Sequence, residues 1–226
     1  MDQGLRLKII RTNRRTLALE IAPDGTVLVR GPRYLPEAAL RAFALSKRDW
    51  IEAQLDQRAA HPAHVLKDGA ILPLYGDQIR VHLDPAAARS RFQRGVLTLP
   101  GAESERQLAA AEGFYRRRAR EIFQDRLAHY APILGVKHET LTVTGAKTRW
   151  GSCSQKGDIR LNWRLLLGKP EWLDYVVVHE LAHRKQMNHS PAFWALVESV
   201  LPDYRVRKKE LNQHQGELWL CIACGS

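Results

Sequence analysis

The stretch "YVVVHELAHRKQMNHSPAFW", residues 175–194, constrains the fold of this chain more than any other. It carries three of the nine histidines, His179, His183 and His189. "HELAH" sets His179 and His183 four residues apart, so on a helix they lie ~40° apart around the axis and one turn from each other. Two imidazoles so placed can reach one cation at ~2.0–2.1 Å. Glu180 projects about 100° away, near enough to take a proton from a metal-held water without being a ligand. The pattern therefore demands a helix and points to mononuclear zinc hydrolysis.

A catalytic zinc needs a third protein ligand and an open fourth position. On an unbroken helix His189 would lie ~9 Å beyond His183, so it can join only if the helix stops first. Asn188 tolerates a left-handed turn, Ser190 suits an N-cap, and Pro191 suits the first turn of a new helix, "SPAFWALVESVL". The rival third ligand is Glu198 on that next helix, although its spacing from His183 is short for the role. The remaining alternative is three unrelated histidines on a basic protein.

Elsewhere the patterning changes along the chain. "LRLKIIRT", "TLALEIAP" and "TVLVRGP" alternate in period two, and "PDGT" offers turn chemistry between the last two. A helical pattern follows over "LPEAALRAFALSKRDWIEAQLDQR", then strand character in "ILPLYGDQIRVHLD" and "GVLTLP". From Ser104 a long helix runs toward Pro132 and Gly135. "ETLTVTGAKTRWGS" and "DIRLNWRLLL" read as a hairpin across "CSQKGD", ahead of the HELAH helix, which has Pro170 in its first turn. The expectation is an α+β fold: a β-rich N-terminal part, residues 1–102, with one helix, packed with a helical zincin-like metallohydrolase core, residues 103–226. That core carries the HExxH helix and an adjacent β-hairpin.

Composition excludes several classes. The longest apolar runs are far too short for a membrane span, and no leader pattern opens the chain, so a cytoplasmic protein is expected. Three cysteines, Cys153, Cys221 and Cys224, are too few and odd in number for a disulfide framework. The terminal "CIACGS" lacks a second ligand pair for zinc, with His214 the one nearby candidate, so incidental thiols are the simpler reading. Cys153 has no activating neighbour in the sequence and reads as structural. The net charge of +11 permits nonspecific contact with polyanions or nucleic acid. The basic residues are dispersed, however, and no aromatics interleave with them as a stacking platform would require.

Two segments, "KTRWGSCSQKGDIRLNWRLLL" and "LDYVVVHELAHRKQMNHSPAFWALVESVLPDY", together resemble the YgjP-like metallohydrolases, a family of metallopeptidases related to SprT-type zinc proteases. The N-terminal "RTLALEIAPDGTVLVRGPR" looks like that family's first segment, so the resemblance spans nearly the whole chain. It implies zinc ligands at His179, His183 and His189, with Glu180 as general base, and one continuous family domain. The expected function is a zinc-dependent metallopeptidase, one Zn2+ per chain, acting on peptide or protein substrates through a zinc-bound water activated by Glu180. The resemblance also carries an alternative, since a nucleoside-triphosphate (UTP) pyrophosphatase activity is assigned within the family. A nucleic-acid-associated metalloprotease is the third reading.

Supporting roles are expected nearby. The hairpin from Thr140 to Trp163, with Arg149 and Trp150 at a strand end, would offer an edge for extended substrate; equally, Trp150 and Trp163 would pack it against the helix. Phe193 and Trp194 read as core, and Tyr204 or Arg205 as candidate oxyanion donors.

Overall fold

The structure, a computed structural model, describes residues 5–13, 15–22, 25–60, 64–101, 104–146, 148–220 and 222–224. The side chains at 57–60, 64–65, 219–220 and 222–224 lie outside that description. Cys221 and the Cys224 side chain, the terminal cysteine pair, are therefore outside it, as are Pro23 and Asp24 of the first turn. The contacts divide the chain into two compact units, Met1–Pro62 and Ala63–Ser226, within an α+β architecture.

The first unit holds β1 (Leu7–Thr12), β2 (Ala18–Ile21) and β3 (Val27–Pro32), followed by helices α1 (Glu37–Leu45) and α2 (Arg48–Ala60). β3 is central, antiparallel to β2 and parallel to β1. The single helix expected here is two. Ser46 ends α1, its amide donating to the Ala42 carbonyl and its hydroxyl to that of Phe43. A serine that bonds its own backbone competes with helix continuation in this way.

The second unit opens with β4 (His64–Leu66), β5 (Ile71–Leu74), β6 (Asp77–Asp84), β7 (Arg91–Gln93) and β8 (Val96–Pro100), then α3 (Ser104–Leu134). "ILPLYGDQIRVHLD" forms the two strands β5 and β6. Tyr75 and Gly76 both have positive φ, 54° and 87°, closing a tight β5–β6 hairpin. That turn holds the start of the HELAH helix. The Tyr75 amide donates to the Leu166 carbonyl and the Gly76 amide to that of Gly168, while a side chain at 76 would meet Pro170 at 2.9 Å.

Next come β9 (Leu141–Thr144), β10 (Gly151–Cys153), β11 (Ile159–Asn162) and a 3-10 turn at Trp163–Leu167. They lead into α4 (Pro170–Ala182), α5 (Pro191–Val200), α6 (Tyr204–Leu220) and β12 (Ile222–Cys224), which pairs with β4. The expected hairpin is a three-stranded sheet in the order β10-β11-β9. β10 and β11 form the hairpin, and β9 lies parallel on the far side of β11. The expected first strand stops at Thr144, and β10 starts only at Gly151, on an edge of the sheet.

α4 is apolar nearly all round and is buried accordingly, with Val177, Val178 and Leu181 fully inaccessible. Of its two buried acidic residues, Asp174 and Glu180, the first receives a two-pronged bond from Arg126 of α3, Nε to Oδ1 at 2.6 Å and Nη2 to Oδ2 at 2.9 Å. α6, not foreseen from the sequence, packs along α4 through Leu211 and Tyr204. None of the described helices is long and apolar enough to cross a membrane.

Candidate metal centre

α4 ends at Ala182, and His183 is its C-cap at φ −60°, still helical, so His179 and His183 keep their one-turn relation. The chain then turns. Ser190 caps α5 through its hydroxyl, which accepts the Phe193 amide, and Pro191 opens the helix, as the sequence requires. His189 is thereby folded back: its Nε2 lies 3.0 Å from Nε2 of His179. One ligand atom from each of His179, His183 and His189 falls within 4.8 Å of the others.

The three rings share one platform. The buried Phe193 ring is 4.7–4.9 Å from all three imidazole centroids. The half-buried Trp194 stacks on His189 at 5.6 Å and 24°. His183 donates Nδ1–H to the Gln186 carbonyl, 3.1 Å away, which leaves Nε2 with a free lone pair. Nδ1 of His179 is buried without a partner among the described residues, so packing rather than a hydrogen bond orients that ring. Burial first, then the charges of His183 and His189, push the His179 pKa down to about 3, which keeps it neutral and able to ligate. Three imidazoles converging in this way fit a divalent metal ion, since two nitrogens on a tetrahedral ion at ~2.0–2.1 Å lie ~3.3 Å apart.

Glu180 follows His179 and points into the protein, 6% exposed. Desolvation raises its carboxyl to about 8, partly opposed by the positive charge of Arg149. Strand β10 crosses directly above it. A Cβ on Gly151 would lie 2.6 Å from Glu180 Oε1 and 2.8 Å from Cγ, so only glycine lets the edge strand approach this closely. Sequence reasoning passed over Gly151; the glycine inside a short strand was the available signal.

Asn162 was also missed. It is wholly buried, and its side chain spends every group on the segment between β9 and β10 and on the following turn. Nδ2 donates to the carbonyls of Ala146 (2.7 Å) and Arg149 (3.2 Å), and Oδ1 accepts the Arg164 amide (3.1 Å). This pins the loop that carries Arg149 beside Glu180. Arg184, just past the second motif histidine, ties the turn after α4 to the sheet, donating to the carbonyls of Gln155 (2.7 Å) and Lys137 (3.1 Å).

The other expected residues fall as follows. Glu198 is held by Arg205 at 2.6 Å and is not among the residues whose ligand atoms converge. Trp163 is core, and Trp150 packs against the core. The Cys153 thiol is pushed up by burial and then by the Glu180 charge, which holds it protonated, in keeping with a structural role. Tyr204 is buried and stacked on Trp194 at 5.3 Å and 12°. His214 spends Nδ1 on the Glu210 carbonyl.

Two solved structures are similar to part of the chain. The metallopeptidase zymogen abylysin of Pyrococcus abyssi is 30% identical over 41% of this chain and 95% of its own, with a TM-score of 0.38. The zymogen jannalysin of Methanocaldococcus jannaschii is 20% identical over 41% of this chain and 96% of its own, also at 0.38. No curated protein matches the chain. The model of the YgjP-like metallopeptidase domain matches residues 15–214, and so takes in the whole imidazole cluster, Glu180, Gly151 and Asn162. The chain therefore belongs to the YgjP-like metallopeptidase family.

Proposed function

We propose that the protein is a zinc-dependent peptidase in which His179, His183 and His189 hold one zinc ion per chain and Glu180 is the general base. The observation that carries this reading is the convergence of three imidazole ligand atoms within 4.8 Å beside a buried glutamate. Zinc, when bound, supplies Lewis acidity at a carbonyl oxygen and brings the pKa of a coordinated water to about 7.

The chain's own groups supply the rest. Glu180 accepts the proton of the attacking water at its carboxylate and delivers it to the leaving amide nitrogen. Its burial removes competing solvent, which makes the ionised form a strong base. The charge of Arg149 favours that ionised form, and so does any cation held by the imidazoles. The free edge of β10 accepts extended substrate by main-chain pairing, next to Glu180.

The test is Glu180→Gln. This variant should keep about one zinc per chain and lose casein hydrolysis by at least ~10³-fold, judged by the size of general-base contributions. Unaltered hydrolysis would refute the role of Glu180. Turnover of UTP without peptide cleavage in the wild type would refute the peptidase reading.

A further inference from the structure

A cavity of about 570 Å³ opens beside the imidazole cluster, lined by Trp194, Tyr204, Arg205, Lys208, Lys209, Asn212 and Gln213. Trp194 is shared between the two, its ring 5.6 Å from that of His189 and 5.8 Å from that of His179. The other six residues come from α6, and the five polar ones share one face. At ~100° per residue positions 205, 208, 209, 212 and 213 span an arc of about 140°.

Three cations line this face and no carboxylate does. Elsewhere along α6 the charges are paired. Arg207 is bound by Asp203 at 2.9 Å and approaches Asp174 at 3.8 Å, while Glu210 accepts from both Lys169 and the Trp172 indole. In the cavity only Arg205 has a counter-ion, Glu198. Lys208 and Lys209 form no ion pair among the described residues. Lys208 is half-buried, its ammonium 4.5 Å over the Trp194 ring, which fixes one charge at the wall nearest the imidazoles.

We propose that this cavity is a substrate subsite that takes an aspartate or glutamate side chain of the peptide, within about two residues of the scissile bond. The proposal rests on the peptidase reading above. The rings do not favour a nucleotide as the occupant. Tyr204 also lines the cavity, but its ring is stacked on Trp194 and covered by Arg205, while Trp194 is stacked by His189 and covered by Lys208, so a base finds no unoccupied platform. Asn212 and Gln213 at the far end add neutral donors suited to a carboxylate.

The test is digestion of a proteome-derived peptide library by the zinc-loaded protein, read by mass spectrometry, for wild type, Lys208→Gln and Lys209→Glu. The wild type should enrich Asp and Glu at one position within two residues of the cut by about twofold to fivefold, as expected for a partly exposed charge contact. Lys208→Gln should reduce that enrichment, and Lys209→Glu, on an exposed helix position, should remove it or turn it toward Lys and Arg. No acidic enrichment, or the same profile in all three proteins, would overturn the proposal.

Binding of a labelled acidic peptide and its Glu→Gln counterpart to zinc-loaded Glu180→Gln protein, followed by fluorescence anisotropy, separates this from failure of the peptidase reading. Tighter binding of the acidic peptide, weakened in the Lys209→Glu background, upholds the subsite even if no library peptide is cut. Equal binding of both peptides, or displacement of the acidic peptide by a single-stranded oligonucleotide at lower concentration than by unlabelled peptide, overturns it.

Discussion

Gly151→Ala tests the close passage of β10 over Glu180, the proposed general base. The added methyl carbon would lie 2.6 Å from Glu180 Oε1, 2.8 Å from Cγ and 2.9 Å from Cδ, against an ordinary contact of 3.4 Å or more. Relief requires a displacement of about 0.8 Å, and the glutamate end moves more readily than a strand bonded along Gly151–Cys153. Misplacing a reacting group by ~1 Å costs on the order of 10²-fold in rate. The variant should therefore show kcat on peptide lowered by roughly 30- to 100-fold, about 2–3 kcal/mol of barrier. Metal content should hold, because no imidazole is touched.

Stability should fall only modestly. Overpacking costs about 1–3 kcal/mol, partly offset by the ~0.4–1 kcal/mol that alanine gains over glycine through the unfolded chain. A double-mutant cycle isolates the cause. In a Glu180→Ala background the collision is gone, so Gly151→Ala should be neutral or slightly stabilising in urea unfolding. Full kcat in Gly151→Ala, or the same stability cost in both backgrounds, would refute the reasoning.

Other perturbations follow from the same geometry. Asn162→Ala removes three hydrogen bonds from a wholly buried position and releases the Ala146 and Arg149 carbonyls; urea unfolding should show a loss of about 2–4 kcal/mol, and an unchanged midpoint would count against the pinning role. Phe193→Ala removes the ring beneath all three imidazoles and should cost about 3–5 kcal/mol while weakening metal affinity roughly 10- to 100-fold in a chelator competition. The pH dependence of metal-free protein should carry opposite signatures from two buried groups. Glu180 keeps its proton to about 8 in the folded state but loses it near 4.5 when unfolded, so its contribution falls as pH rises across that window. His179 stays neutral down to about 3 when folded but gains a proton below 6.5 when unfolded, so its contribution falls as pH drops from 6.5. The two oppose each other between 4.5 and 6.5, and from 6.5 to 8 Glu180 acts without that opposition, costing up to ~2 kcal/mol at ~1.4 kcal/mol per unit. Metal-free Glu180→Gln should lack that fall; an identical slope in both proteins would sink the assignment.

How much of this was legible in the sequence follows the range of the interactions. The HELAH helix, its stop and the return of His189 were readable because each is set locally, by one-turn spacing and by the Ser190–Pro191 start of α5. The α+β class and the long α3 were readable from periodicity. Topology was not, because the parallel pairing of β9 with β11 and of β1 with β3 joins strands that are not neighbours in the chain. The two roles most tied to the site, Gly151 above Glu180 and Asn162 beneath the Arg149 loop, arise from tertiary approach. A glycine or asparagine read alone has many local explanations. Trp194 read as core, whereas its ring is half-buried between the imidazoles and the basic face of α6.

The measurement that bears most directly on the central claim is zinc per chain, by inductively coupled plasma mass spectrometry, in wild type and His189→Ala purified side by side. The three-histidine site predicts close to one zinc in the wild type and nearly none in the variant, because two imidazoles on one helical turn hold the ion far more weakly than three. Equal zinc in both proteins would contradict it, and so would a wild type that takes up no metal at all.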